Sequence, residues 1–186
     1  MNKQLTLKTR ILVAVALVAI GVAGRLLPHA WNFAPIVAIG IFSGAYLGKR
    51  FAFLVPVIAM AASDAVIGFY GWKLNLTVYA AMALSGAIGL LLRRRRSPIS
   101  VAAAALAGST LFFLVTNGAV WYLGSSYAPG LDGLLAAYVA GLPFYRNAVV
   151  GDIWYSWALF GAFEFALWGY RSIIGSKTHA QHSLRG

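Results

Sequence analysis

The chain has 186 residues, of which 61% are hydrophobic and only 10% charged, and its mean hydropathy is +0.78. A soluble domain carries roughly 25% charged residues, so this chain has too few to cover a water-soluble globule of its size. That excludes a soluble enzyme, a coiled coil and a disordered protein, and leaves an integral membrane protein with room for one domain. The chain has no cysteine, which removes disulfides, thiolate metal sites and cysteine nucleophiles.

The formal net charge is +11, from 15 Lys and Arg against 4 Asp and Glu. In a soluble protein such an excess points to nucleic acid. Here its placement points to the lipid bilayer instead, and no nucleic-acid partner is expected. Apolar spans read as 11–28, 34–48, 52–69, 74–92, 99–123 and 148–170. With a cytoplasmic N-terminus, every Lys and Arg except Arg25, Lys73 and Arg146 falls on the inner side, the bias expected of short loops. The pattern predicts an all-α integral membrane bundle of six transmembrane helices in a bacterial inner membrane, with both termini cytoplasmic. Residues 1–10 and 171–186 read as basic cytoplasmic tails flanking a membrane domain at 11–170. Lys3, Lys8 and Arg10 precede the first apolar run as they would in a signal peptide. That run is long enough to span, and its removal would spoil the parity, so it is read as a helix.

Helix 1 ends at Pro28, before an outer loop with His29, Trp31 and Asn32. Helix 2 starts near Pro35, a good first-turn residue, and is short. It carries Gly40, Gly44 and Gly48 at spacing four, a small-residue face that lets a second helix backbone approach closely. The face serves packing inside the bundle or docking of a partner. Helix 3 holds Pro56, then Ser63-Asp64 near its outer end. Helix 4 has a second small-residue face at Ala81, Ser85 and Gly89. It ends in Arg93, Arg94, Arg95 and Arg96, a cytoplasmic stop anchor or a site for anionic lipid headgroups.

Helix 5 is expected to be broken at Thr116-Asn117-Gly118, because an Asn-Gly step in mid-helix is poor helix chemistry. Residues 125–146 read as a long outer connection. Within it, 131–142 is apolar but too short to span, which suits a re-entrant or interfacial segment. Pro143 to Asn147 then leads into helix 6, with Gly151-Asp152 in its first turns.

The four acids carry the sharpest signal. Asp64 and Asp152 are placed at similar depth, each about one turn inside the outer boundary. Asp132 is a plain loop acid, and Glu164 falls near the inner boundary. Intramembrane carboxylates are costly and usually face an interior or a wet cavity. Asn32, Asn117, Arg146, Asn147 and Tyr155 fall in the same outer slab, with Trp31, Trp72, Trp121, Trp154 and Trp157 near it. Two arrangements fit. These groups line an outward-facing pocket, polar groups set among aromatic walls. Alternatively, Asp64 or Asp152 pairs with Arg146 or Lys73 to pin helix ends, and the tryptophans form an interfacial belt. The candidate substrate-binding set is Asp64, Asn117, Trp121, Arg146, Asn147, Asp152, Tyr155 and Asn32. Two carboxylates among aromatics favour a cationic or zwitterionic ligand with a ring.

No catalytic, cofactor or metal site is expected. His29 is alone, and His179 and His182 have no third ligand near them in sequence. Gly175-Ser176-Lys177-Thr178 has the wrong order for a phosphate loop, and no strand precedes it.

Six spans with both termini inside, and the motifs Asn32-Phe33-Ala34-Pro35, Pro56 with Ser63-Asp64, Asn117-Gly118-Ala119-Val120-Trp121, and Pro143-Phe144-Tyr145-Arg146-Asn147 with Gly151-Asp152, resemble an uncharacterised bacterial family of membrane proteins. That family in turn looks like the substrate-binding S components of energy-coupling factor (ECF) transporters. The resemblance covers about residues 10–170. It implies capture of a vitamin or related small molecule from outside, then docking on a membrane energising subunit served by ATPases. It also implies a small-residue docking pair on helix 1, a spacing that Ala19 and Ala23 match in the outer half of that helix. Two other functions stand beside this one. The first is a non-transporting scaffold or assembly partner using the Gly40, Gly44, Gly48 face. The second is a membrane enzyme on a lipid intermediate using Asp64 and Asp152 as an acid/base pair.

Overall fold

The computed structural model describes residues 5–28, 30–69 and 71–183, with side chains described through Tyr170 and at Ser172, save that of Arg171. His29 and the side chains of His179 and His182 lie outside the described residues. The described chain is helical: α1 (Leu7–Leu26), α2 (Ile36–Phe42), α3 (Lys49–Ile67), α4 (Trp72–Leu91), α5 (Pro98–Leu123) and α6 (Leu131–Ser183). A π-helical turn, Ser43–Leu47, extends α2.

The helix ends follow local chemistry. The Thr6 hydroxyl caps α1 by accepting from the Thr9 amide at 3.3 Å. Ser97 does the same for α5 through the Ser100 amide at 3.2 Å, with Pro98 in the first turn. Gly48, at φ +100°, separates the π turn from α3, and its amide reaches back five residues to the Ser43 carbonyl at 3.2 Å. Gly68, at φ +108°, ends α3.

Among the described residues, four helices (α1, α3, α4 and α5) are long and apolar enough to cross a membrane. Their outward faces are apolar too: Leu12, Val15, Leu54, Val66, Leu76, Leu106 and Leu114 are all exposed. Water would not tolerate so much continuous apolar surface on a monomer, whereas lipid would. The other two helices are of different kinds. α2 and its π turn have seven and five residues, roughly 18 Å in all and well short of a hydrocarbon core about 30 Å thick. α6 has 53 residues, about 80 Å of helix, with Pro143 inside it.

The short helix is central. Every residue of α2 is buried. It crosses α4 where both backbones lack side chains. A Cβ on Gly44 would strike the Gly86 carbonyl, and one on Gly89 would strike the Ile41 carbonyl. The two small-residue faces read from sequence therefore meet each other. Gly40 and Gly44 are used up by packing within the bundle and offer no surface to a partner, and Gly48 serves as a turn. Around this crossing sit Ile36, Ile39, Ile41, Phe42, Val55, Ala59, Met82, Val101 and Phe160. Ala19 and Ala23, by contrast, face outward on α1.

Two expectations about the second half fail. α5 is unbroken through Thr116-Asn117-Gly118. The Thr116 hydroxyl and the Asn117 amide bond back to the carbonyls of Phe112 and Phe113, both at 2.8 Å, and Gly118 leaves room for the Tyr138 hydroxyl. The presumed outer segment 131–142 is neither re-entrant nor separate. It is the first part of α6, zipped antiparallel along α5. Tyr138 Oη donates to the Leu114 carbonyl at 2.9 Å, and Thr110 and Tyr145 share a 2.8 Å hydrogen bond. The connection between these helices shrinks to residues 124–130.

Two ends can be distinguished. Arg10, Lys49, Arg50 and Arg93 to Arg96 gather at the end where α1 and α3 begin. There Arg10 Nη1 donates to the Leu47 carbonyl at 3.3 Å, and Arg96 Nη2 to the Ala45 carbonyl at 3.1 Å, two cations on the C-terminal carbonyls of the α2 unit. Arg96 also lies 4.3 Å over the Tyr46 ring, whose hydroxyl donates to Glu164 at 2.6 Å. Arg96 is thus a packing residue of the bundle, while Arg93, Arg94 and Arg95 are exposed as an anchor requires.

The α2–α4 crossing gives a direct test. Gly44→Leu should destabilise the purified protein by about 1–3 kcal/mol or more, since backbone on both sides cannot yield. Gly161→Ala, where a Cβ meets open space, should leave the thermal midpoint unchanged or slightly raised. Thermal unfolding of both variants in the same detergent checks the contrast.

Candidate functional site

Because α2 begins partway along the bundle, the volume beyond its first turn is not filled by helix. A cavity of about 310 Å³ occupies that space. Ile36 and Val37 of α2 form part of its wall, with Met60 of α3 and Leu74, Val78 and Met82 of α4. α5 and α6 supply Ser109, Phe112, Phe113, Thr116, Asn117, Phe144, Tyr145 and Asp152, and Asn32 and Ala34 approach from the α1–α2 loop. The wall is mostly apolar and aromatic with a few polar groups, which is the character of small-molecule pockets.

Asp152 is the most telling of the polar groups. It is 3% exposed, and Ser109 Oγ donates to its Oδ2 at 2.6 Å. The backbone amide of Ala38, in the first turn of α2, donates to the same carboxylate. A helix that starts inside an apolar bundle leaves its first amides without partners, and this carboxylate satisfies one of them. Ser109 lies about 21 Å of helix from the end of α5 and about 16 Å from its start, so Asp152 sits near mid-bundle. The two acids do not share a depth, as the sequence suggested. α6 enters the bundle at Leu131 rather than Ala148, so Asp152 falls nearly six turns into the helix, at about 3.6 residues per turn. Trp157 moves with it to the basic end, donating to the Pro98 carbonyl at 3.0 Å.

Asp64 is bound to a different group. Arg25 Nη1 stands 2.6 Å from Asp64 Oδ1 and also donates to Ser63 Oγ at 2.6 Å and to the Met60 carbonyl at 3.3 Å. Tyr79 donates to Asp64 Oδ2 at 2.8 Å. Asp64 is 1% exposed and Arg25 13%. The carboxylate therefore lies behind the cavity wall, and it is Arg25 that reaches the wall. The expected partners, Arg146 and Lys73, are not involved: Arg146 is exposed, and Lys73 lies over Trp72 at 5.7 Å.

Of the eight residues predicted to bind substrate, the cavity brings together Asn32, Asn117 and Asp152. Three others hold the covering loops. Asn147 Nδ2 donates to the Trp31 carbonyl at 3.1 Å, and Tyr155 packs on Phe33 at 5.4 Å, both fixing the α1–α2 loop. Trp121 Nε1 donates to the Ala128 carbonyl at 3.1 Å in the α5–α6 connection. Sequence reasoning missed Arg25, Ser109 and the aromatic wall of α5. Arg25 carried a usable signal, being a cation inside an apolar span on the sparsely charged side.

Together these features define a membrane-type helical bundle with a partly open, mixed polar and aromatic cavity. The chain belongs to a family of unknown function, DUF6580, whose model matches residues 5–174 and so takes in the whole bundle. No curated protein and no solved structure matches it.

The Arg25–Asp64 pair yields a second expectation. Asp64→Asn or Arg25→Met alone should cost about 3–5 kcal/mol, because each strands a buried partner. The double variant Arg25→Met/Asp64→Leu should be more stable than either single one. Thermal midpoints of the three proteins decide it, and a double variant worse than both would refute the pairing.

Proposed function

We propose that this protein captures a small metabolite or micronutrient at a bacterial inner membrane, in the manner of an S component of an ECF transporter. The observation that carries the proposal is the cavity above the short α2, walled by Phe112, Phe113, Phe144 and Tyr145 and furnished with Asp152, Asn117 and Arg25. The basic end is cytoplasmic by the positive-inside bias, which places both termini inside and the cavity toward the outer half. In this proposal the α1–α2 loop and the short α2 together make the second pass, and the stretch of α6 beside α5 makes the sixth. The loops tied down by Asn147, Tyr155 and Trp121 cover the site from outside.

Energy for uptake comes, in this proposal, from a membrane partner with ATPases, to which the outward Ala19 and Ala23 are accessible. The protein itself acts as a binder and not as an enzyme: Asp64 is engaged by Arg25 and Tyr79, and Asp152 lies at another depth, so the two acids do not converge on one reacting atom. The scaffold alternative loses its principal surface, since Gly40 and Gly44 are buried against α4.

Native mass spectrometry of the gently purified protein tests the cavity, with Thr116→Phe as a variant that fills it. The wild type is expected to retain a small molecule that the variant loses while keeping its thermal midpoint within a few degrees. Equal retention by both, with no saturable binding across a vitamin and metabolite panel, would overturn the proposal.

A further inference from the structure

We infer that the ligand of this cavity is a monocation whose charge is carried on or beside a flat ring, with the charge seated at Asp152. The inference rests on the cavity being a binding site, as proposed above, and goes on to the chemistry of what it binds.

The argument is one of charge balance. Two of the cavity's groups are ionic, Arg25 and Asp152. Arg25 is already neutralised by Asp64 at 2.6 Å, and Tyr79 completes that carboxylate's hydrogen bonding. Asp152 is different. It accepts from Ser109 and from the Ala38 amide, both neutral donors, and no cation lies within ion-pair distance of it among the described residues. Asp152 is thus the one ionisable group of the site with no opposite charge beside it among the described residues. In an apolar bundle a lone charge is expensive, and a ligand bearing one positive charge removes that cost. A zwitterion or an anion would bring a negative charge for which the site has no free cation, since Arg25 is engaged by Asp64.

The walls specify the rest. Phe113 and Tyr145 lie 4.7 Å apart at 32°, one from α5 and one from α6, with Phe112 and Phe144 beside them. Aromatic faces stack on flat rings and attract cations through their quadrupoles. About 310 Å³ is at the small end of ligand pockets, room for one ring system with short substituents.

Three probes of one shape isolate charge: benzamidinium, benzamide and benzoate. Their affinities for the purified full-length protein are measured by titration calorimetry, wild type beside Asp152→Asn. Benzamidinium should bind the wild type about tenfold or more tighter than benzamide, and benzoate most weakly, each tenfold step being about 1.4 kcal/mol. Asp152→Asn should erase the preference for benzamidinium while leaving benzamide little changed. The ranking on wild type stands without the variant, so a misfolded Asp152→Asn does not spoil the test. Benzamide equal to benzamidinium would overturn the inference and leave the cavity a binding site, with Asp152 acting as an uncharged acid. Benzoate tightest would overturn it in favour of Arg25. No binding of any probe would count against both the inference and the cavity beneath it.

Discussion

A helix that begins in the middle of an apolar bundle must find partners there for its first amide groups. In this protein α2 begins so, and the carboxylate of Asp152 answers the need through the Ala38 amide while Ser109 holds it from α5. Much else depends on that contact. It fixes where α2 starts, and the start of α2 decides where helix ends and cavity begins. It also sets the register of α6 against α5, since Asp152 and Ser109 must meet. The ion-poor interior would reject an isolated carboxylate, and two donors from two elements are what make this one tolerable.

The remaining charges act at the two ends. On one, Arg25, Asp64 and Tyr79 bind α1, α3 and α4 together. On the other, Arg10 and Arg96 cover the last carbonyls of the α2 unit, and Tyr46 ties it to Glu164 of α6. Between them, apart from the Asp152–Ser109 and Thr110–Tyr145 hydrogen bonds, the packing is largely by shape, with Gly44, Gly86 and Gly89 bringing α2 and α4 into backbone contact. Hydrophobic association is of little help between helices in lipid, so close approach and a few polar contacts have to specify the arrangement. The cavity lies between the polar clamp of Arg25, Asp64 and Tyr79 and this dry crossing. Its walls are therefore held from both sides.

The α5–α6 hairpin shows how local signals mislead. Asn117-Gly118 and Pro143 each argue for an interruption, and both helices pass through without one. Asn117 returns its side chain to its own helix, and Gly118 and Gly141 let the partner helix come close where a larger residue would hold it off. What reads in one strand of sequence as a break is, with the second helix in place, a contact. The same shift moves the start of the last helix to Leu131 and carries Asp152 from near a helix end toward mid-bundle. Asp152 and Asn117 were recognisable as cavity residues because polar groups in apolar spans need a reason. Ser109 was not, because a serine that bonds its own helix needs none.

The sequence by itself determined the membrane character, the all-helical class, the side on which basic residues collect and the presence of a short, glycine-lined helix 2. These follow from composition and spacing, which act one residue or one turn at a time. Tertiary structure alone decided that the glycine faces of α2 and α4 meet each other, that Asp64 belongs to Arg25, and that Asp152 stands at mid-bundle with no cation paired to it among the described residues. Each of these is a pairing between segments far apart in the chain. Arg25 stands out locally as a cation inside an apolar span, but only the packing of α1 on α3 shows that it, and not Lys73 or Arg146, comes within reach of Asp64.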